Sequence, residues 1–318
     1  MLTIRSSAAQ MNRRLLAVLA ASALVLAACT SSDEGSADAD ASTGTEMAAM
    51  LDVGATFADA AAVTSGRLDG SVVAAGFDAA DATATAEIAF SGAFDEGVDA
   101  TQISADVAPF FDAGVVSGDI GGLPANLIGG AFTEPIELIV IGSEGFVKAG
   151  ILDLLTGQPG AWASIERGQL EEFAASLGLG FDVTDPNRPL DWLAAGDAGD
   201  SAELIDTESV GTIPGEHWRA TIDLTSATSG LTAEEQAGFD AAFGSATEVE
   251  VDLWIAVDDG RLLRYDIPLA TGSALGEGAT LDLSIQISDH GSDVGIASPP
   301  ADEVVDGSAI FALVGGDN

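Results

Sequence analysis

The 318 residues include one cysteine, two histidines, one tyrosine and ten lysines and arginines. Each scarcity excludes something. The lone thiol of Cys29 forms no internal disulfide. The histidines, His217 and His290, stand in neither H-x-x-x-H nor H-E-x-x-H spacing, so no metal site is indicated. Ten basic residues against 51 acidic ones give a formal charge of −41, the wrong sign for a nucleic-acid partner. After Cys29 no uninterrupted apolar run approaches the roughly 20 residues that cross a bilayer. Signatures of catalysis are equally sparse. "IGSEG" (141–145) lacks the G-x-S-x-G spacing of a nucleophile elbow. The runs "GDIGG" and "GLGLG" lack the strand-to-helix setting of a dinucleotide fingerprint. Asp258 and Asp259 precede Gly260 in a turn, where aspartate is expected on conformational grounds. No catalytic residue and no cofactor is expected.

What is present begins at the N-terminus. Arg13 and Arg14 precede an apolar run from Leu15 to Leu26, which ends in small residues before Cys29. That is the layout of a secretory signal peptide, and Met11 begins a more typical one than Met1. Leu26-Ala27-Ala28-Cys29 resembles the lipobox of bacterial lipoproteins, in which the cysteine is acylated and heads the mature chain. The resemblance implies that Cys29 is a lipid anchor on the outer face of the cell membrane. All 51 acidic residues but only 7 of the 10 basic ones follow Cys29, so the mature chain carries a formal charge of −44. Such a surface either holds the domain in solution off anionic headgroups or reflects a salt-adapted or acidic-proteome host. From Thr30 to Thr45 there is no large apolar residue, the composition of a disordered tether. As a flexible coil it spans roughly 20–24 Å. The expected organisation is therefore a signal peptide (1–28), a lipidated cysteine and tether (29–45), a folded domain (46–306) and a short tail (307–318).

"EMAAMLDVGATFADAAAV" places Met47, Met50, Leu51, Phe57 and Ala61 at near-helical spacing. Strands dominate the chain beyond it. Val249, Val251, Leu253, Ile255 and Val257 alternate with Glu250, Asp252 and Trp254, the period of a strand with one buried face. After the Asp258-Asp259-Gly260 turn, Leu263, Tyr265, Ile267 and Leu269 alternate with Arg264 and Asp266. Leu281, Leu283, Ile285 and Ile287 repeat the pattern. Further strands are expected near 66–77, 82–92, 98–107, 134–141, 144–148, 202–213 and 216–225, all in one large antiparallel sheet. Helical spacing interrupts them at 167–178, 188–196 and 232–244, with glycines placed to end several of the helices. "PFFDAGVVSGDIGGLPANLIGG" (109–130) reads either as a flap or helix at a cavity mouth or as a packed irregular loop. A sheet with one apolar face closes either as a tight core or around a cavity.

"RPLDWLAAGDAGDSAELIDTESVGTIPGEHWRATIDL" (188–224) resembles the helix–strand–strand segment of the actinobacterial LppX/LprG lipoproteins, relatives of the LolA and LolB carriers. The matching positions are Glu208-Ser209-Val210-Gly211 and His217-Trp218 through Asp223-Leu224, with Trp218 where tyrosine is common. "WIAVDDGRLLRYDI" and the closing segment with Pro299-Pro300 are similar too. The resemblance implies an α+β half-barrel, a strongly curved antiparallel sheet covered by helices with an apolar cavity between. It implies a lipid ligand lying against Val251, Leu253, Ile255, Leu263, Tyr265, Ile267, Leu281, Leu283 and Ile285, all expected on the concave side opposite Asp252 and Arg264. An envelope transporter is an implied partner. A scaffolding lipoprotein with a filled core is the alternative.

Overall fold

The computed structural model describes residues 52–61, 63–77, 83–113, 119–120, 123–124, 133–168, 193–194, 202–226, 228, 231, 236, 239–240, 243–269 and 279–308. The expected signal peptide (1–28), Cys29 and the expected tether (30–45) lie outside the described residues.

Helix α1 (Val53–Ala61) starts where Asp52 serves as its N-cap. The Asp52 carboxylate accepts from the Ala55 N–H at 2.9 Å, satisfying a donor that the first turn would otherwise leave bare. Gly54 falls in that first turn, and Phe57 on the following turn is fully buried. Of the helical spacing expected from residue 46, Met47, Met50 and Leu51 lie outside the described residues.

A meander comes next: β1 (Ser65–Ala75), β2 (Thr85–Asp95) and β3 (Ala100–Asp106). The apolar stretch after it opens with helix α2 (Ala108–Asp112), which buries Phe110. It then contains a two-stranded ribbon of β4 (Asp119–Ile120) and β5 (Leu123–Pro124). Its residues 114–118, 121–122 and 125–130 are outside the described residues. The meander resumes with β6 (Ile136–Ile141) and β7 (Glu144–Lys148), then helix α3 (Gly150–Thr156) and β8 (Trp162–Glu166). A second meander runs through β9 (Glu203–Val210), β10 (Ile213–Asp223), β11 (Glu248–Ala256), β12 (Leu262–Leu269) and β13 (Thr280–Ser288), and β14 (Val304–Asp306) closes the described chain. Val210 pairs with Ile213 across a two-residue loop, and Gly211 takes the positive φ of 59° that such a tight hairpin demands.

All but β4 and β5 join one open, curled sheet of 12 strands in the order β14-β8-β7-β6-β3-β2-β1-β13-β12-β11-β10-β9. The two meanders meet at β1 and β13, which pair over nine positions from Arg67–Ser288 to Ala75–Thr280. Both halves of the chain thus share one sheet. Every neighbouring pair is antiparallel except β14 with β8, which is parallel. Of the helices expected at 167–178, 188–196 and 232–244, the structure describes residues 167–168, 193–194, 236, 239–240 and 243–244. Leu193, Phe239 and Phe243 are buried in the main core. Among the described residues no helix is long and apolar enough to cross a membrane.

The outer face is less uniformly wet than alternation predicts. Ile139, Phe146 and Trp162 form a cluster there under Ile296 and Val304 of the C-terminal segment. Trp254 carries a second cluster with Ala256 and Leu263. Trp254 was expected among solvated residues, and its exposure is 6%.

Candidate functional site

Strand pairing lines up the inner face in cross-strand rows. The central row runs Trp218, Leu253, Tyr265, Ile285, Gly70, Phe90, Ala105 and Ile136, each directly opposite the next. A parallel row runs Ile267, Leu283, Val72 and Ile88. Another runs Leu269, Leu281, Ala74 and Ala86. With Val251 and Ile255 the buried side chains of these rows belong to one continuous apolar cluster, against which Ile136 packs. Helix α1 lies on it, and Phe57 meets the Tyr265 ring edge-on at 6.4 Å, the geometry that aromatic quadrupoles favour.

Eight of the nine expected lining residues share this face: Val251, Leu253, Ile255, Tyr265, Ile267, Leu281, Leu283 and Ile285. Leu263 does not. A β-bulge shifts the register between Trp254 and Ile255, so that Ile255 faces Leu262 and Leu263 is the extra residue. Leu262 takes the inner position, and Leu263 packs outside with Trp254 and Ala256. The adjacent leucines 262 and 263 were the available sign of this break in period two. The inner face is also wider than β11–β13. Ala220 and Ile222 of β10, Leu68 and Val72 of β1, and Ile88, Phe90 and Phe94 of β2 belong to it. Glycines and serines in "SGRLDGSVVAA" dilute the alternation there.

One of those glycines is required by packing. A Cβ on Gly70 would collide with the Phe90 ring and with the Ser284 carbonyl oxygen. The missing side chain lets the Phe90 ring lie across the neighbouring strand on the concave side. Gly70→Ala is therefore expected to cost about 1–3 kcal/mol, as overpacking does. Chemical denaturation measures it, and an unchanged midpoint would show that Phe90 moves aside freely.

The outer face of β10–β12 is a charged lattice, with Asp252 and Arg264 on it as the alternation predicts. Asp252 lies directly opposite Asp266, a like-charge pair that is unfavourable unless cations intervene. They do intervene. Arg219 donates to Asp252 through Nε at 3.1 Å and Nη2 at 3.3 Å. Arg264 donates to Asp266 at 3.0 and 2.6 Å and lies 4.4 Å from the centre of the Trp254 ring. The hydrogen bond to Asp252 and its charge hold the Arg219 guanidinium above its ordinary pKa. Asp282, on β13, is pushed above the usual carboxylate range by burial and by the charge of Asp266. His290 contacts the Leu262 carbonyl oxygen at 3.2 Å, and burial followed by the charge of Arg261 keeps its pKa below that of free imidazole. Neither histidine adjoins a serine or cysteine nucleophile in the contacts described.

Solved structures supply the comparison. The chain is similar to the Mycobacterium tuberculosis lipoprotein LppX, with 13% identity and a TM-score of 0.38 over 74% of this chain and 90% of that one. It is similar to LprF from Mycobacterium bovis, with 12% identity and a TM-score of 0.39 over 78% and 93%. A LolA superfamily protein from Nitrosomonas europaea matches at 11% identity and a TM-score of 0.22, over 76% and 89%. These are proteins of the kinds that the sequence motifs resemble. No protein-family model matches the chain, and no curated protein matches it. At these scores the fold is carried by the chain's own strand order.

Proposed function

We propose that the protein is an exported lipoprotein, anchored through Cys29, which binds the acyl chains of a lipid or lipoglycan between the inner face of the sheet and its helical cover. It would carry or present that lipid in the cell envelope, handing it to or receiving it from an envelope transporter. Residues 1–28 act as the leader, 29–45 as anchor and tether, and 46–306 as the binding domain. The observation that supports this reading is the breadth of the apolar face: its central row crosses eight strands, from Trp218 on β10 to Ile136 on β6. Acyl chains need an extended apolar surface of this kind, with few polar groups to fix orientation. No catalytic role is assigned.

The second reading, a scaffolding lipoprotein with a filled core, draws on burial: Val251 and Leu253 have no exposed surface and Leu283 has 2%. A substitution separates the two readings. Leu283 stands between Ile267 and Val72, and Leu283→Trp adds an indole where an acyl chain would lie. The substitution costs about 1–3 kcal/mol in a filled core and less where a cavity gives the indole room, and the decisive quantity is the response to lipid. Wild type should gain roughly 2.7 kcal/mol of stability with lipid a hundredfold above its dissociation constant. Leu283→Trp should gain almost nothing and should lose the lipid adduct in native mass spectrometry. A wild type that shows neither adduct nor lipid-dependent melting supports the filled core.

A further inference from the structure

The two motif residues that the lipid reading leaves unused, Glu208 and His217, come together on the face opposite the apolar one. Asp206 and Glu208 are two residues apart on β9, and His217 is directly opposite Asp206 on β10. One ligating atom from each of the three lies within 4.8 Å of the others. We propose that Asp206, Glu208 and His217 bind a divalent first-row transition-metal ion, with Zn²⁺ the best fit.

The imidazole is held as a ligand needs to be. Its Nε2 is 2.8 Å from Asp252 Oδ1, and its plane stacks on Trp254 at 4.4 Å with only 5° between the rings. With the Nε2 proton donated to Asp252, the lone pair of Nδ1 points toward Asp206. This carboxylate–imidazole relay sets tautomer and ring orientation in metal sites generally. Arg219 also donates to Asp252, so the outer carboxylate's charge is balanced without the ion. Glu208 is oriented as well, because the Trp254 indole N–H donates to its Oε1 and leaves the second oxygen for an ion. The spacing agrees. His217 Nδ1 and Asp206 Oδ1 are 3.4 Å apart, longer than the about 2.7–2.9 Å of a charge-assisted hydrogen bond. Two donors each about 2.0–2.2 Å from a tetrahedral Zn²⁺ stand about 3.3–3.5 Å apart.

One imidazole nitrogen with two carboxylates on paired strands suits Zn²⁺ better than the all-oxygen preferences of Ca²⁺ and Mg²⁺. Three protein ligands leave one coordination position for water. The ion would fasten β9, whose other edge has no strand partner among the described residues, to β10 beside the bulge that skips Ile205. Neither presence nor absence of this site bears on the lipid reading, which concerns the opposite face.

The test uses the full chain, purified in mild detergent and stripped of metal by a chelator. Zn²⁺ is titrated against a chromophoric competitor in millimolar Ca²⁺ and Mg²⁺, which occupy the generic carboxylate sites of so acidic a chain. A single tight site per chain is expected, with a Zn²⁺-dependent rise in melting temperature. Asp206→Asn, Glu208→Gln and His217→Ala should each weaken binding at least tenfold. Asp252→Asn should weaken it about 10- to 100-fold by releasing the imidazole. His290→Ala should change nothing. The amide variants at exposed Asp206 and Glu208 decide the matter if His217→Ala does not fold. Absence of tight Zn²⁺ binding, or binding equally tight in Glu208→Gln, overturns the assignment.

Discussion

Tyr265→Ala should lower stability by about 3–5 kcal/mol, the cost of removing a large buried ring from a packed core. Tyr265 sits midway along the central row between Leu253 and Ile285, is 1% exposed and takes the edge-on contact from Phe57 of α1. Truncation therefore removes packing within the sheet and between sheet and helix together. Against a total stability of about 5–15 kcal/mol, that is a large fraction. In a chain of this size about 2–4 °C of melting temperature goes with each kcal/mol, so the melting point should fall by roughly 10 °C. Glu250→Ala, on the exposed side of β11, should stay within about 0.5 kcal/mol of wild type. A Tyr265→Ala protein that melts with wild type would mean that α1 does not pack on this row.

The same residue shows how far the sequence could be read. Period two identified β11, β12 and β13 and assigned Tyr265, Leu253 and Leu283 to one face, because a half-buried strand stamps its burial directly on its residues. The pattern failed where backbone irregularity intervened. The bulge opposite Ile255 moved Leu263 to the other face, and nothing in an alternation states where a residue will be inserted. Strand β8 was missed because Trp162 and Ala163 are buried on opposite faces, leaving no alternation over five residues. Strand β14 is three residues long. Trp254 was assigned to the wet face by its neighbours Glu250 and Asp252. Its indole is in fact sandwiched by His217 and Arg264, contacts that depend on pairing across three strands. The Asp206–Glu208–His217 cluster was illegible for the same reason. Its register skips Ile205 between Leu204 and Asp206, and only the folded pairing reveals it.

Cys29→Ser should abolish fatty-acid incorporation, an all-or-none effect, and either release the protein from the detergent phase or leave it in the membrane as uncleaved precursor. A buried acyl chain contributes about 0.8 kcal/mol per methylene, and stable anchoring takes more than one such chain or a second attraction to the membrane. The charge of the chain offers no second attraction. With 51 acidic residues and 7 basic ones after Cys29, a chain cleaved at Cys29 would be repelled by anionic headgroups, which attract only basic segments. No described helix is long and apolar enough to hold it in the bilayer instead. More than one acyl chain on Cys29 would therefore carry the whole anchoring free energy, and the tether of roughly 20–24 Å would leave the acidic domain clear of the headgroups. Metabolic labelling with a fatty acid, followed by detergent-phase partitioning of wild type and Cys29→Ser, checks this. Equal labelling of the two proteins would rule out Cys29 as the acylated residue. Equal partitioning after loss of label would mean instead that an uncleaved leader holds the variant in the membrane, which a mass measurement of its N-terminus identifies.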